Sequence, residues 1–372
     1  LDYVENCRRY LKRFQIESSA GKRAGCPYVI TGGPADAIPF AALEIADALA
    51  VGEAYTFVRE LISLIRADQP VDAIREFVRA YPHAIERSEI VPFARDPERP
   101  WLLIDPAPKL ACPDDWVDWA GVPPVRSDDK VVRLIGSKGC HFKCAFCATT
   151  YRQTYRKNED EAQILGQLRA LNRQGERVQI LSNDPLNLHY FRAISGKLDS
   201  QSFTVQEVKD RENRMAIIRS GVGMARFGVE GVSARIRNAF GKPISDDEIV
   251  EMLLHFHEHK INTHMFFIVG SPYETATDWV EFRALYERLT RTLKSGICRV
   301  KMTTFVPTPP APLARYVPDL TYEREVAHFA NWVSGNAASR HMVYIRGRGG
   351  RTHTANVAEQ LAIPLPLAER LV

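Results

Sequence analysis

From Val131 onward the sequence repeats one unit: an apolar stretch of strand length, a loop, and an amphipathic stretch of helix length. Expected strands are 131–135, 178–181, 203–208, 224–229, 264–269 and 300–306, with helices over 161–172, 246–260 and 279–293 between them. Such alternation demands a parallel sheet, because each helix must carry the chain back before the next strand begins. Six units are the length of a partial (βα)6 TIM-like barrel rather than a complete one. One helix start is explicit. Ser245 and Glu248 form a capping box, Ile244 and Ile249 can staple across it, and Ile249, Met252, Leu253 and Phe256 share the face that turns to the sheet.

The earlier part reads differently. Val4, Leu11 and Phe14 suggest a helix, 27–31 a strand ending in the turn Gly32-Gly33-Pro34, and Phe57, Leu61, Ile62 and Ile65 a second helix after the apolar segment 45–51. Residues 1–66 therefore look like a Rossmann-like domain of only two units. Residues 67–125 hold ten prolines and little periodicity, as expected of an irregular connector. The barrel is expected over 126–318 and a C-terminal extension over 319–372.

Composition narrows the class without choosing a partner. Of 372 residues, 45% are hydrophobic and 25% charged, an ordinary globular balance, and 49 basic against 45 acidic side chains leave a formal charge of +4. No apolar run reaches the roughly 18 residues of a membrane span, and no secretory signal opens the chain, so a cytoplasmic, non-membrane protein is expected. Because the first residue is Leu1, a preceding segment is expected.

Of seven cysteines, Cys7, Cys26, Cys112 and Cys298 are scattered, whereas Cys140, Cys144 and Cys147 lie within eight residues, directly after the strand 131–135. Loops after the strands of an α/β barrel form its active face. Three thiolates suit an iron-sulfur cluster with one iron left open; the alternative is zinc completed by His141 or a distant residue.

The spacing Cys140-x3-Cys144-x2-Cys147, with Phe146 before the last cysteine, resembles the radical S-adenosylmethionine (radical SAM) superfamily. That resemblance implies a 4Fe-4S cluster on the three cysteines and S-adenosylmethionine as cosubstrate, cleaved reductively to methionine and a 5′-deoxyadenosyl radical. It also implies an electron donor of the flavodoxin or ferredoxin type. By position it places Phe146 at the adenine, and Ser182, Asn183 and Asp184 at the methionine amino end, where the usual Gly-Gly-Glu is absent. Glu230 falls near the ribose and methionine, and Ile268, Val269 and Gly270 against the adenine.

Thr31-Gly32-Gly33-Pro34, Asp47 and Val51-Gly52-Glu53 resemble the closing portion of the cobalamin-binding domain fused to many of these enzymes. Cobalamin is therefore a candidate cofactor, although no Asp-x-His-x-x-Gly, the usual source of the cobalt-ligating histidine, occurs in the chain. The leading expectation is modification of an unactivated carbon, by methyl transfer or rearrangement. Arg340, Arg346, Arg348 and Arg351, with His341, Tyr344 and His353 and no acid among them, motivate a second reading, radical modification of a nucleic acid base or nucleotide. A third is an iron-sulfur or zinc module without turnover. His255, His257 and His259 read as a solvated helix end, and Pro307, Pro309, Pro310 and Pro312 as an extended strap.

Overall fold

The computed structural model describes residues 2–23, 27–33, 45–51, 55–82, 84–86, 95–96, 99–103, 124–126, 129–152, 154–158, 160–195, 198–308, 311–316, 319, 321–336 and 340–345. Cys26, Cys112, Pro34, Gly52, Glu53, Pro309, Pro310, Arg346, Arg348, Arg351, His353 and most of the connector lie outside them.

In the N-terminal part, helix α1 (Asp2–Arg13) precedes strands β1 (Ile30–Gly33) and β2 (Ala48–Val51), which pair in parallel. Helices α2 (Tyr55–Arg66) and α3 (Val71–Ala80) follow, and β3 (Ala84–Glu86) then joins β2 antiparallel. The expected Rossmann-like unit is thus corrected to a three-stranded mixed sheet. The cause of the antiparallel join lies in its connection: two successive helices, α2 and α3, carry the chain away and back to the end where β2 stopped, so the next strand must run the other way. Asp47 is a structural tie here, accepting from Val29 N at 2.8 Å and pairing with Arg23 at 2.9 Å.

The larger part is a run of parallel strands in chain order. These are β4 (Val131–Ile135), β5 (Arg177–Leu181), β6 (Ser200–Thr204), β7 (Met224–Glu230), β8 (Asn262–Val269), β9 (Cys298–Thr304) and β10 (Met342–Ile345). Apart from a register shift at Gly228/Glu230 between β7 and β8, the β5–β6 join is the irregular one. There the chains share a single bridge, Val178 with Leu198, and the Gln201 side chain replaces the ladder by donating to Ile180 O at 2.8 Å and accepting from Ile180 N at 3.1 Å. One expectation changes: six strands become seven, because β10, in the stretch read as an extension, pairs with β9. Among the described residues the run stays open.

The expected strand 203–208 is also corrected. Strand β6 ends at Thr204, and Val205–Val208 is one helical turn opened by a capping box between Thr204 and Glu207. Valine's strand preference yields to the cap because the turn buries Val205 and Val208 in the core.

Helices α4 (Glu161–Arg173), α5 (Arg211–Arg219), α6 (Asp246–Glu258), α7 (Ala276–Thr292) and α8 (Tyr322–Asn336) connect the strands. Consecutive neighbours linked by right-handed crossovers put every helix on the same face. That face is the core: Phe227 meets Phe256 at 5.2 Å, and Phe267 meets Phe282 at 4.9 Å between ring centroids. The Ser245–Glu248 cap forms as expected, with reciprocal bonds of 2.7 and 3.1 Å. No described helix is long and apolar enough to cross a membrane.

Candidate active site

Cys140, Cys144 and Cys147 follow β4 at the carboxyl end of the sheet, and all three are free thiols. The loop is held by its backbone. Thr150 Oγ1 donates to Cys140 O at 3.0 Å and also to Phe142 O. Asn183 Nδ2 donates to Gly139 O at 2.8 Å, Ala145 N to Phe240 O at 3.0 Å, and Leu313 N, from the proline strap, to Ala145 O at 2.9 Å. The fold thereby fixes the loop while leaving its sulfurs out of any disulfide.

Burial pushes the Cys140 thiol up to about 12 and raises Cys144 as well, against the opposing pull of the Lys242 ammonium. Lys242 belongs to a second group at the same end. Its Nζ lies 3.7 Å from Glu230 Oε1 and 2.9 Å from Gly228 O, and 5.9 Å from the centre of the Phe146 ring, which itself packs on Phe240 at 5.2 Å. Glu230 sits in the left-handed region at φ 70°, at a register shift in β7, so its carboxylate folds back over Gly228. A side chain at 228 would meet the Glu230 carboxylate and the Lys242 ammonium and would have to displace them.

The structure therefore brings Cys144, Phe146 and Glu230 together and adds Lys242, which the sequence reading missed. It gives the next group different work. Asp184 is fully buried and meets His141 Nδ1; Ser182 Oγ lies 3.3 Å from Asp184 Oδ1 and 2.6 Å from Ser137 Oγ; Asn183 is on Gly139. Together Ser182, Asn183 and Asp184 brace the cysteine loop. Val269 is buried and Ile268 half-buried, while the close approach allowed by Gly270, at φ 78°, is made by Tyr322.

Of the histidines 255, 257 and 259, the i, i+4 pair His255 and His259 pack edge to face at 5.0 Å between ring centroids, and His257 stands apart. His257, read as solvated, is buried, with Nε2 3.0 Å from Thr263 Oγ1, and His255 accepts from Arg214 at 3.1 Å.

Glu207 was also missed. It is buried beside Asp184, and burial pushes its carboxyl up to about 8. It is therefore neutral in the folded chain near pH 7. A raised carboxyl contributes stability below its unfolded value near 4.5 and loses it as pH rises through 8. The wild type should lose stability relative to Glu207→Gln over that window, by at most about 1.4 kcal/mol per pH unit. Urea unfolding at pH 5, 6.5 and 8 checks this, and parallel curves would contradict it.

Among the described residues no three His, Cys, Asp or Glu side chains are drawn close enough for a single metal ion. A cluster of four irons is larger and needs thiolates spread around it, and three free thiols on one braced loop are a donor set of that kind. In the stretch that resembles a cobalamin-binding domain, Asp47 has a structural role in accepting from Val29 N, and Gly32 packs closely on β2, since a Cβ there would meet Ala50 O at 2.8 Å.

Residues 134–286 match the sequence family described as the Radical SAM superfamily. No curated protein matches in sequence. Among solved structures, the radical S-adenosylmethionine methyltransferase TsrM from Kitasatospora setae, with cobalamin and a [4Fe-4S] cluster bound, superposes with a TM-score of 0.57 at 14% identity. It covers 87% of this chain and 61% of its own. The cobalamin-dependent S-adenosylmethionine radical enzyme OxsB, with aqua-cobalamin bound, gives 0.50 at 12% identity and covers 99% of this chain. The chain spans only 61% and 50% of these two structures, and the likeness is one of fold.

Proposed function

We propose, from the premise that this chain belongs to the radical SAM superfamily through residues 134–286, that it is an enzyme which cleaves S-adenosylmethionine reductively and modifies an unactivated carbon. The observation that carries this reading is the set of three free thiols on a braced loop at the active end of the sheet, beside the Glu230–Lys242 pair. Cys140, Cys144 and Cys147 would hold a 4Fe-4S cluster. When bound, that group supplies the electron that breaks the sulfonium bond, and a redox protein of the flavodoxin or ferredoxin type replaces the electron.

The chain's own work is binding and exclusion of water. Phe146 and Ile268 offer apolar surface for the adenine, and Val269, its side chain buried in the core, offers only its backbone. Glu230 offers its carboxyl to an ammonium or ribose hydroxyl, and Lys242 opposes the burial that raises that carboxyl above its ordinary range. Ser182, Asn183 and Asp184 position the loop. The likeness in fold to TsrM, a methyltransferase, supports putting methyl transfer ahead of rearrangement in this reading. No step is assigned to cobalamin.

The test is anaerobic reconstitution with iron and sulfide, followed by S-adenosylmethionine and dithionite. Release of 5′-deoxyadenosine is the expected result. A chain that takes up iron yet releases none would be a binding module, and the proposal would fail.

A further inference from the structure

The face of the sheet opposite the helices carries charge that nothing in the described structure neutralises. Strand alternation puts Ser202 of β6, Arg226 of β7, His264 of β8 and Arg299 of β9 in one row, since register pairs Ser202 with Arg226, Arg226 with His264 and His264 with Arg299. The next row toward the cysteines holds Gly228, Phe266 and Lys301. The intervening residues Phe227, Met265 and Val300 point into the helix-covered core, which fixes the row on the other side. Arg299 confirms it by reaching across to Met224 Sδ at 3.8 Å.

Several other arginines have carboxylate partners. Arg133, on this same face, meets Asp129 at 2.6 Å; Arg214 meets Glu251 at 2.7 Å and Arg235 meets Asp278 at 2.5 Å. Among the described residues Arg226, Arg299 and Lys301 meet no carboxylate. Between them His264 is only 9% exposed, and its Nε2 is buried without a hydrogen-bond partner. Its ring is held by stacking on Phe266 at 4.2 Å. Burial, with Arg226, Arg299 and Lys301 adding repulsion, pushes His264 down to about 4, so the ring is neutral near pH 7. A buried polar atom with no partner, ringed by three cations, is costly to keep unless an anion completes it.

We propose that Arg226, His264, Arg299 and Lys301 bind the oxyanion of the substrate, a phosphate or carboxylate carried on a small molecule. Guanidinium groups present paired N–H donors that match two oxygens of either group, and a neutral imidazole adds one more donor. The row lies four residues below Glu230 on β7, about 13 Å along the strand at ~3.3 Å per residue. A substrate anchored there by its charged end would extend toward the cysteine loop, with its reacting carbon remote from the charge. Calling the anion a substrate rests on the function proposed above; its binding does not.

Isothermal titration of the full chain with inorganic pyrophosphate, inorganic phosphate and succinate tests the site. Saturable binding at one site per chain is expected, weakened at least about tenfold by Arg226→Gln or Arg299→Gln and unchanged by Arg169→Gln on the exposed side of α4. Preference for the phosphates assigns a phosphate ester and preference for succinate a carboxylate. Should the variants unfold, the wild type answers alone: pyrophosphate should shift the His264 ring resonances and raise the pH at which the ring protonates. Absence of saturable binding, unchanged affinity in both folded arginine variants, or an unmoved His264 overturns the proposal. Release of 5′-deoxyadenosine is scored separately, so a chain that releases it without binding anions loses the anion site and keeps the chemistry.

Discussion

Cys144→Ala is expected to lower the iron retained after anaerobic reconstitution to background and to abolish 5′-deoxyadenosine release. Cys144 is the most buried of the three loop thiols, and its neighbours are already committed: Ala145 is bonded through both N–H and carbonyl, and Gly241 lies 3.8 Å from the Cys144 Cα by its would-be Cβ. The loop has no slack with which to offer another ligand, and two thiolates do not hold a cubane. Cys298→Ala is the control. That cysteine is fully buried in β9, remote in the fold from the loop, so the variant should lose some stability and keep its iron. Full iron content in Cys144→Ala, or equal loss in Cys298→Ala, would contradict the assignment.

Lys242→Met should destabilise the fold by about 3 kcal/mol, because it removes the ammonium from a buried pair and leaves Glu230 facing only the Gly228 backbone. Burial then acts on Glu230 without the opposing pull of the ammonium and raises its carboxyl further, which weakens its hold on a cationic group of the cosubstrate. Adding Glu230→Gln should recover most of the stability, since a neutral amide no longer requires a counter-charge, while leaving 5′-deoxyadenosine release low. Guanidinium unfolding of the two variants reads the first effect and single-turnover product formation the second. A double variant as unstable as the single one would show that Lys242 acts through packing instead of charge.

Much of this was legible in the sequence because it is local. The cysteine spacing, the Ser245–Glu248 cap and the strand-loop-helix period each fit within a few residues, and each reappears in the fold. What was hidden depends on register or on competition. The turn at Val205–Val208 reads as strand until Thr204 and Glu207 cap it. The fourth residue of the site, Lys242, lies twelve positions beyond Glu230 and reaches it only because Ala234–Ala239 folds back as a helix. Ser182, Asn183 and Asp184 stand where sequence position put them, yet their partners on the loop, Ser137, Gly139 and His141, are more than forty residues away. The basic row is the extreme case, since Arg226, His264 and Arg299 are ordinary strand residues until three parallel strands align them.

The most direct measurement is quantitation of metal and acid-labile sulfide in the full chain purified and reconstituted under argon. Ligation of a cubane by Cys140, Cys144 and Cys147 predicts about four irons and four sulfides per chain. Zinc in place of iron, with no labile sulfide, would contradict it.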